Sequence, residues 1–115
     1  MDWEPIGSPG VSMGNVSFLN LAIGTDGRPI VVYRDNANGK RTTVQRWDGN
    51  AWSLVGVAGF SPDSANYQQI ALDADGYPIV VYQEIGSAYT YHTTVQRWDG
   101  GSWVFIGPRG FSEDW

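Results

Sequence analysis

The chain has 115 residues, 42% of them hydrophobic, and no cysteine; this is enough apolar material for one small packed domain and excludes a disordered chain, a disulfide-stapled scaffold and thiolate chemistry. Its 15 Gly and 6 Trp are the composition of many short strands joined by tight turns and filled by large flat side chains, so little helix is expected. A formal net charge of −5 with only 7 Lys and Arg leaves no basic stripe to neutralise phosphates, which argues against nucleic acid and anionic membrane as partners.

Taken in chain order, the sequence repeats itself. Trp3-Glu-Pro-Ile-Gly7 reads as an outer strand, and Pro5, which has no N–H to donate, suits it to an edge. An apolar segment from Ser17 to Ile23 ends at Asp26-Gly27, where Gly accepts the positive φ of a hairpin turn. Pro29 to Tyr33 follows, apolar on consecutive residues and therefore covered on both faces. Thr42 to Trp47 and Ala51 to Val55 are two further strands around an Asp-Gly-Asn turn. The same order returns as Tyr67 to Leu72, Pro78 to Tyr82, Thr93 to Trp98 and Ser102 to Ile106. Thr42 to Gly49 is repeated letter for letter at Thr93 to Gly100, and the Trp-x-x-x-Gly signature at Trp3, Trp52 and Trp103 recurs at spacings of 49 and 51 residues. The extra length lies between the Tyr and the Thr-Thr, where Arg34 to Arg41 is replaced by Gln83 to His92.

Four antiparallel strands in about 50 residues, repeated with Trp and Gly at fixed offsets, predict an all-β fold, a β-propeller of four-stranded blades. Residues 1–8 are expected as an extra outer strand, 9–56 as the first blade, 57–107 as the second and 108–115 as a C-terminal connection. A blade is covered only by its neighbours, so two blades alone would expose two apolar faces. Copies of the chain would close the ring as a homo-oligomer, a trimer in preference to a dimer or tetramer, unless the chain is a slice of a longer propeller. No run of about 18 apolar residues and no leader after Met1 is seen, so no segment is expected to span a membrane or direct secretion.

The tight Asp-Gly turns should gather at one end of the strands and the long, divergent loops at the other, where binding residues concentrate. Tyr89, Tyr91 and His92 are candidates for recognition there. Trp47, Trp98, Trp52 and Trp103 are read as blade-to-blade packing, with stacking on a sugar ring as the alternative. Arg46 and Arg97 would either donate bidentate hydrogen bonds to a ligand or pair with Asp48 and Asp99. The acids before Gly27 and Gly76 resemble part of a calcium loop, but Gly24 stands where the second repeat has Asp73 and no later Glu completes the set. No metal or other cofactor is therefore expected. One His and no repeated catalytic constellation leave an enzyme with few parts, and Asp35 and Glu84 are read as solvated loop acids.

At its Val-Tyr, Asn-Gly-Lys, Trp-Asp-Gly and following Trp positions, Val32 to Trp52 resembles the blades of fucose-binding propeller lectins from bacteria and fungi, some of which close a six-bladed ring from two-blade chains. The positions of that family's sugar-gripping Arg and Glu hold Val31 and Val44 here, and Val80 and Val95 in the second repeat. The whole repeat, with Trp-x-x-Val/Ile-Gly, Gly-Phe-Ser, Asp-Gly-x-Pro and Trp-Asp-Gly, resembles the propeller repeats of long bacterial surface and secreted proteins. Those resemblances imply a non-catalytic binding module, a glycan as a candidate partner, and an extracellular or cell-surface location.

Overall fold

The structure is a computed structural model that describes residues 3–12, 14–85 and 91–111. It contains eight strands: β1 (Val16–Ile23), β2 (Pro29–Asp35), β3 (Arg41–Trp47), β4 (Trp52–Leu54), β5 (Ala65–Leu72), β6 (Pro78–Ile85), β7 (Tyr91–Trp98) and β8 (Trp103–Phe105). They form two four-stranded antiparallel sheets, β1-β2-β3-β4 and β5-β6-β7-β8, each a simple meander. A single 3-10 turn, Asn36–Asn38, is the only helical element among the described residues. It is capped by the Asp35 side chain, which accepts from the Ala37 amide at 3.2 Å.

The turns form as their residues dictate. Between β1 and β2 the Gly24 amide donates to the Arg28 carbonyl at 2.7 Å and the Gly27 amide to the Gly24 carbonyl at 2.9 Å, leaving a three-residue loop closed by Gly27 at φ 81°. Asp73, Gly76 and Tyr77 repeat this pattern between β5 and β6. Between β3 and β4 the Asp48 carboxylate accepts the amides of Asn50 and Ala51, both at 2.8 Å. Asp99 accepts those of Gly101 and Ser102 in the same way, at 2.9 and 2.8 Å.

The core lies between the sheets. Because side chains alternate along a strand, Ile30, Val32, Val44 and Val55 point from the first sheet toward the second. Ala65, Val80 and Tyr82 answer them, with Ile70, Leu72, Trp98, Trp103 and Phe60 packed around. Phe60, on the connection between the sheets, stacks on Trp103 at 4.1 Å and 4°. The sheets approach each other chiefly through β5, which lies against β1 and β2. There Asn20 Nδ2 donates to Gln69 Oε1 at 2.8 Å and Phe18 meets Tyr67 at 4.7 Å.

Two expectations need correction. Trp3 to Gly7 forms no strand, so the extra outer strand is absent over the described part of residues 1–8. Its natural partner would be a third strand, and both such strands, β3 and β7, are already taken by β4 and β8. Asp35 and Glu84 are not solvated: each is 1% exposed. Asp35 is the last residue of β2 and Glu84 the last but one of β6, both on the buried side of the sheet, where neighbouring hydroxyls hold them. Thr43 Oγ1 donates to Asp35 Oδ2 at 2.8 Å, and Thr94 Oγ1 donates to Glu84 Oε2.

Candidate functional site

Three surfaces bring chemistry-bearing side chains together, and each follows from the repeat. The first is the cleft between the sheets at the turn end. β3 places Arg46 on the face that looks toward the second sheet, in register with Ile30 and Ser53. β7 turns Trp98 the opposite way, and the hairpin before β6 adds Tyr77. Together with Leu54, Val55, Gly56 and Gly100 they line a cleft of about 230 Å³. Among the described residues no carboxylate stands within ion-pair distance of Arg46, so its guanidinium donors face the cleft available for a ligand. Its counterpart Arg97 lies 3.8 Å from Asp73.

The sequence candidates are therefore divided by the fold. Arg46 and Trp98 line this cleft, Arg46 and Trp47 line a neighbouring one with Arg28, Asp75 and Tyr77, and Arg97 joins neither. Asp48 is held below the usual carboxylate range first by the Ala51 and Asn50 amides, with Arg28 and Arg46 adding to the effect. Asp99 is lowered likewise, by Gly101 and Ser102 and then by Arg97. These acids serve their own turns first.

The second surface carries the tryptophan pairs. Trp47 and Trp52 sit side by side at 5.8 Å and 58°, and Trp98 and Trp103 at 5.6 Å and 59°. Each pair holds a chain segment that ends in Gly. Trp103 Nε1 donates to the Val55 carbonyl at 2.8 Å, and Trp52 Nε1 donates to the Ile6 carbonyl at 2.7 Å. Trp98 and Trp103 pack against the core between the sheets, Trp98 also lining the cleft, whereas Trp47 and Trp52 pack on the Ile6–Gly7 segment.

The third surface is the loop end. Tyr91 is exposed, His92 is fully buried beneath β7 opposite Glu84, and Tyr89 lies outside the described residues. Burial leaves His92 no surface for a ligand, a correction to its candidacy; its alternation with Tyr91 along β7 points it inward. Arg109, which the sequence did not single out, is the centre here. Its Nη2 reaches Glu84 Oε1 at 2.9 Å and Asp63 Oδ2 at 3.1 Å, tying the segment after β8 to the connection between the sheets. Its hydrogen bond to Glu84 raises its pKa above the ordinary value. Nearby, burial pushes the Tyr82 phenol well up, and the Glu84 charge adds to this. The available signal was the substitution of Arg109 for Ala58, its repeat equivalent, beside the change from Asp35 to Glu84.

The acids of the calcium-like loops are engaged as turn acceptors. Asp73 Oδ1 takes the amides of Asp75 and Tyr77, both at 2.9 Å, and Asp26 Oδ1 takes that of Arg28 at 3.0 Å. No group of three or more His, Cys, Asp or Glu side chains converges among the described residues. Comparison of the chain with protein-family models, curated proteins and solved structures finds no match.

Proposed function

We propose that this chain is a non-catalytic scaffold and recognition module, two β-propeller blades that copies of itself complete into a closed ring, a trimer of six blades. One observation carries the reading: equivalent residues of the two sheets differ in burial according to which flank is covered. Val55 is 7% exposed and its equivalent Ile106 is 43% exposed. Val32 and Val44 are fully buried, whereas Val81 and Val95 are half-exposed. In the other direction, Leu21 and Ile23 are 55% and 56% exposed, while Ile70 and Leu72 are half-buried against the first sheet. The open flank of the second sheet thus carries the residue types that the first sheet buries against it. The open flank of the first sheet carries those that the second sheet buries. Apolar surface of this kind is stabilised by roughly 25 cal/mol for each Å² removed from water, and what each flank matches is the opposite flank of another copy. In a longer chain, further blades would cover the same flanks.

The test is the mass of the purified chain by light scattering over a range of concentrations. A discrete trimer is expected. A well-folded monomer at every concentration overturns the proposal, and open-ended aggregates assign the missing neighbours to a longer chain.

A second reading, a carbohydrate-binding lectin, is favoured by the open guanidinium of Arg46 beside Trp98 and Tyr77 in the cleft between the sheets. An indole face with a planar donor next to it suits a sugar ring and its hydroxyls. Binding on a glycan array that is lost in Arg46→Ala supports this reading, and an array silent for every sugar removes it.

A further inference from the structure

Resting on the ring reading above, we propose that the Trp47–Trp52 pair is the seat for the Ile106–Gly107 strand end of a second copy of this chain. Ile6–Gly7 is the in-chain occupant that the second copy displaces.

The chain holds three segments of one type, Ile6–Gly7, Val55–Gly56 and Ile106–Gly107, and among the described residues two tryptophan pairs to receive them. Val55–Gly56 shows how a filled seat looks. The Val55 carbonyl accepts from Trp103, and Gly56 lies so close that a Cβ on it would stand 2.7 Å from Trp103 Nε1 and 2.9 Å from Trp98 Cζ3. Ile6–Gly7 copies this at the first pair: the Ile6 carbonyl accepts from Trp52, and a Cβ on Gly7 would stand 2.8 Å from Trp47 Cζ3 and 2.9 Å from Trp52 Nε1. Only Gly admits such an approach to an indole. Gly107 keeps the same left-handed backbone, φ 70° against 75° and 79° for Gly7 and Gly56, yet among the described residues nothing lies within 4 Å of where its Cβ would be. Its neighbour Ile106 is already set as a strand end, its amide donating to the Val95 carbonyl at 2.9 Å. The third segment is therefore shaped for a seat that no described residues of its own chain provide.

The two occupied seats are not held equally. Val55–Gly56 continues β4 and is anchored to β3 by the Val55 amide, which donates to the Val44 carbonyl at 2.9 Å. Ile6–Gly7 belongs to a segment with no strand pairing, and Trp3 before it is fully exposed. Exchange at the first seat thus gives up the indole hydrogen bond to Ile6, the close contact of Gly7 and, where the segment leaves as far as Val11, the 3.4 Å bond from Gln45 Nε2 to the Val11 carbonyl. It gains the same bond, and it brings the flank of Ile79, Val81 and Val95 against Leu21, Ile23 and Val31. The partner this surface fits is a second copy, joined head to tail.

The experiment uses the full chain and compares the parent with Gly7→Ala, Gly107→Ala and Gly107→Asn by sedimentation velocity across concentrations, with circular dichroism as the check on folding. Gly7→Ala forces the in-chain occupant off the rings and is expected to tighten self-association roughly tenfold. Gly107→Ala is expected to weaken it by roughly tenfold or more with the spectrum of the single chain unchanged. Asn tolerates the left-handed backbone but carries a Cβ, so Gly107→Asn gives the same loss if the clash and not the strain is responsible. Rings that persist unchanged in both Gly107 variants overturn the seat and leave the ring reading standing. A parent and a Gly7→Ala variant that both stay folded monomers overturn the ring reading and the seat with it.

Discussion

At the scale of single residues, the two buried acids decide most. Asp35 and Glu84 stand at equivalent places, each accepting a hydrogen bond from a Thr hydroxyl whose oxygen in turn accepts one from the amide of Gly59 or Gly110 at 2.8 Å. A relay of this kind is stable only when every member is satisfied. Thr94→Val removes the middle member without opening a cavity, and a loss of about 1–3 kcal/mol in urea denaturation is expected. Arg109→Ala leaves the Glu84 carboxylate without its cation. Because 38% of the Arg109 side chain is exposed, the cost should fall below the ~3–5 kcal/mol of a fully enclosed pair, at about 1–3 kcal/mol. Adding Glu84→Gln to Arg109→Ala is expected to restore part of it, which a double-mutant cycle reads directly. None of this was legible in the sequence, where an acid followed by a polar loop looks solvated. Each strand runs past its Tyr, and two residues on from Tyr33 and Tyr82 alternation turns the carboxylate inward. Phe18 and Tyr67 were equally silent. Both sit at positive φ, 54° and 57°, in bulges of β1 and β5, and an aromatic residue gives no warning of that conformation.

At the scale of elements, the strands and turns were readable because two independent signals coincided at each: the period of two and the Asp-Gly punctuation. All eight strands fall where the repeat places them. The N-terminal segment failed the same reading because a strand needs a free edge as well as a suitable sequence, and composition does not say which edges are free. The Asp-Gly turns also carry a pH signature. Asp48 and Asp99 have folded-state pKa values depressed by backbone amides, so their contribution is present above the unfolded Asp value of about 3.9 and is lost as pH falls through the lower folded value. The amide shifts of Asn50, Ala51, Gly101 and Ser102 in an NMR titration are expected to stay constant from neutral pH to about 4 and to move below it.

At the scale of the whole molecule, the two sheets are one unit of a pattern that has no internal stop. Equivalent substitutions should therefore have unequal effects. Val32→Asp buries a charge in the core and is expected to cost roughly 4 kcal/mol or more, unfolding the chain. On the proposed ring, Val81→Asp, at the same place in the second sheet but half-exposed, should leave the circular dichroism spectrum near that of the parent while reducing the mass in solution to that of one chain, and should lower the melting temperature only by what the partner copies contribute. A chain that tolerates both or neither would contradict the inequality of the flanks. The candidate cleft was half legible: Arg and Trp were recognised as its chemistry, but that Trp98 of the second sheet comes to Arg46 of the first is decided by how the two sheets pack.

The flanks differ from each other, and this has a geometric consequence. A surface that matches itself is used up when two molecules meet; one that matches only its opposite passes the unmet end along to each newcomer. Growth then stops solely where the accumulated rotation between successive sheets returns to its start. On the proposed ring, the angle between successive sheets, at whose junction Phe60 stacks on Trp103 and Phe18 meets Tyr67, separates a finite particle from an endless fibre.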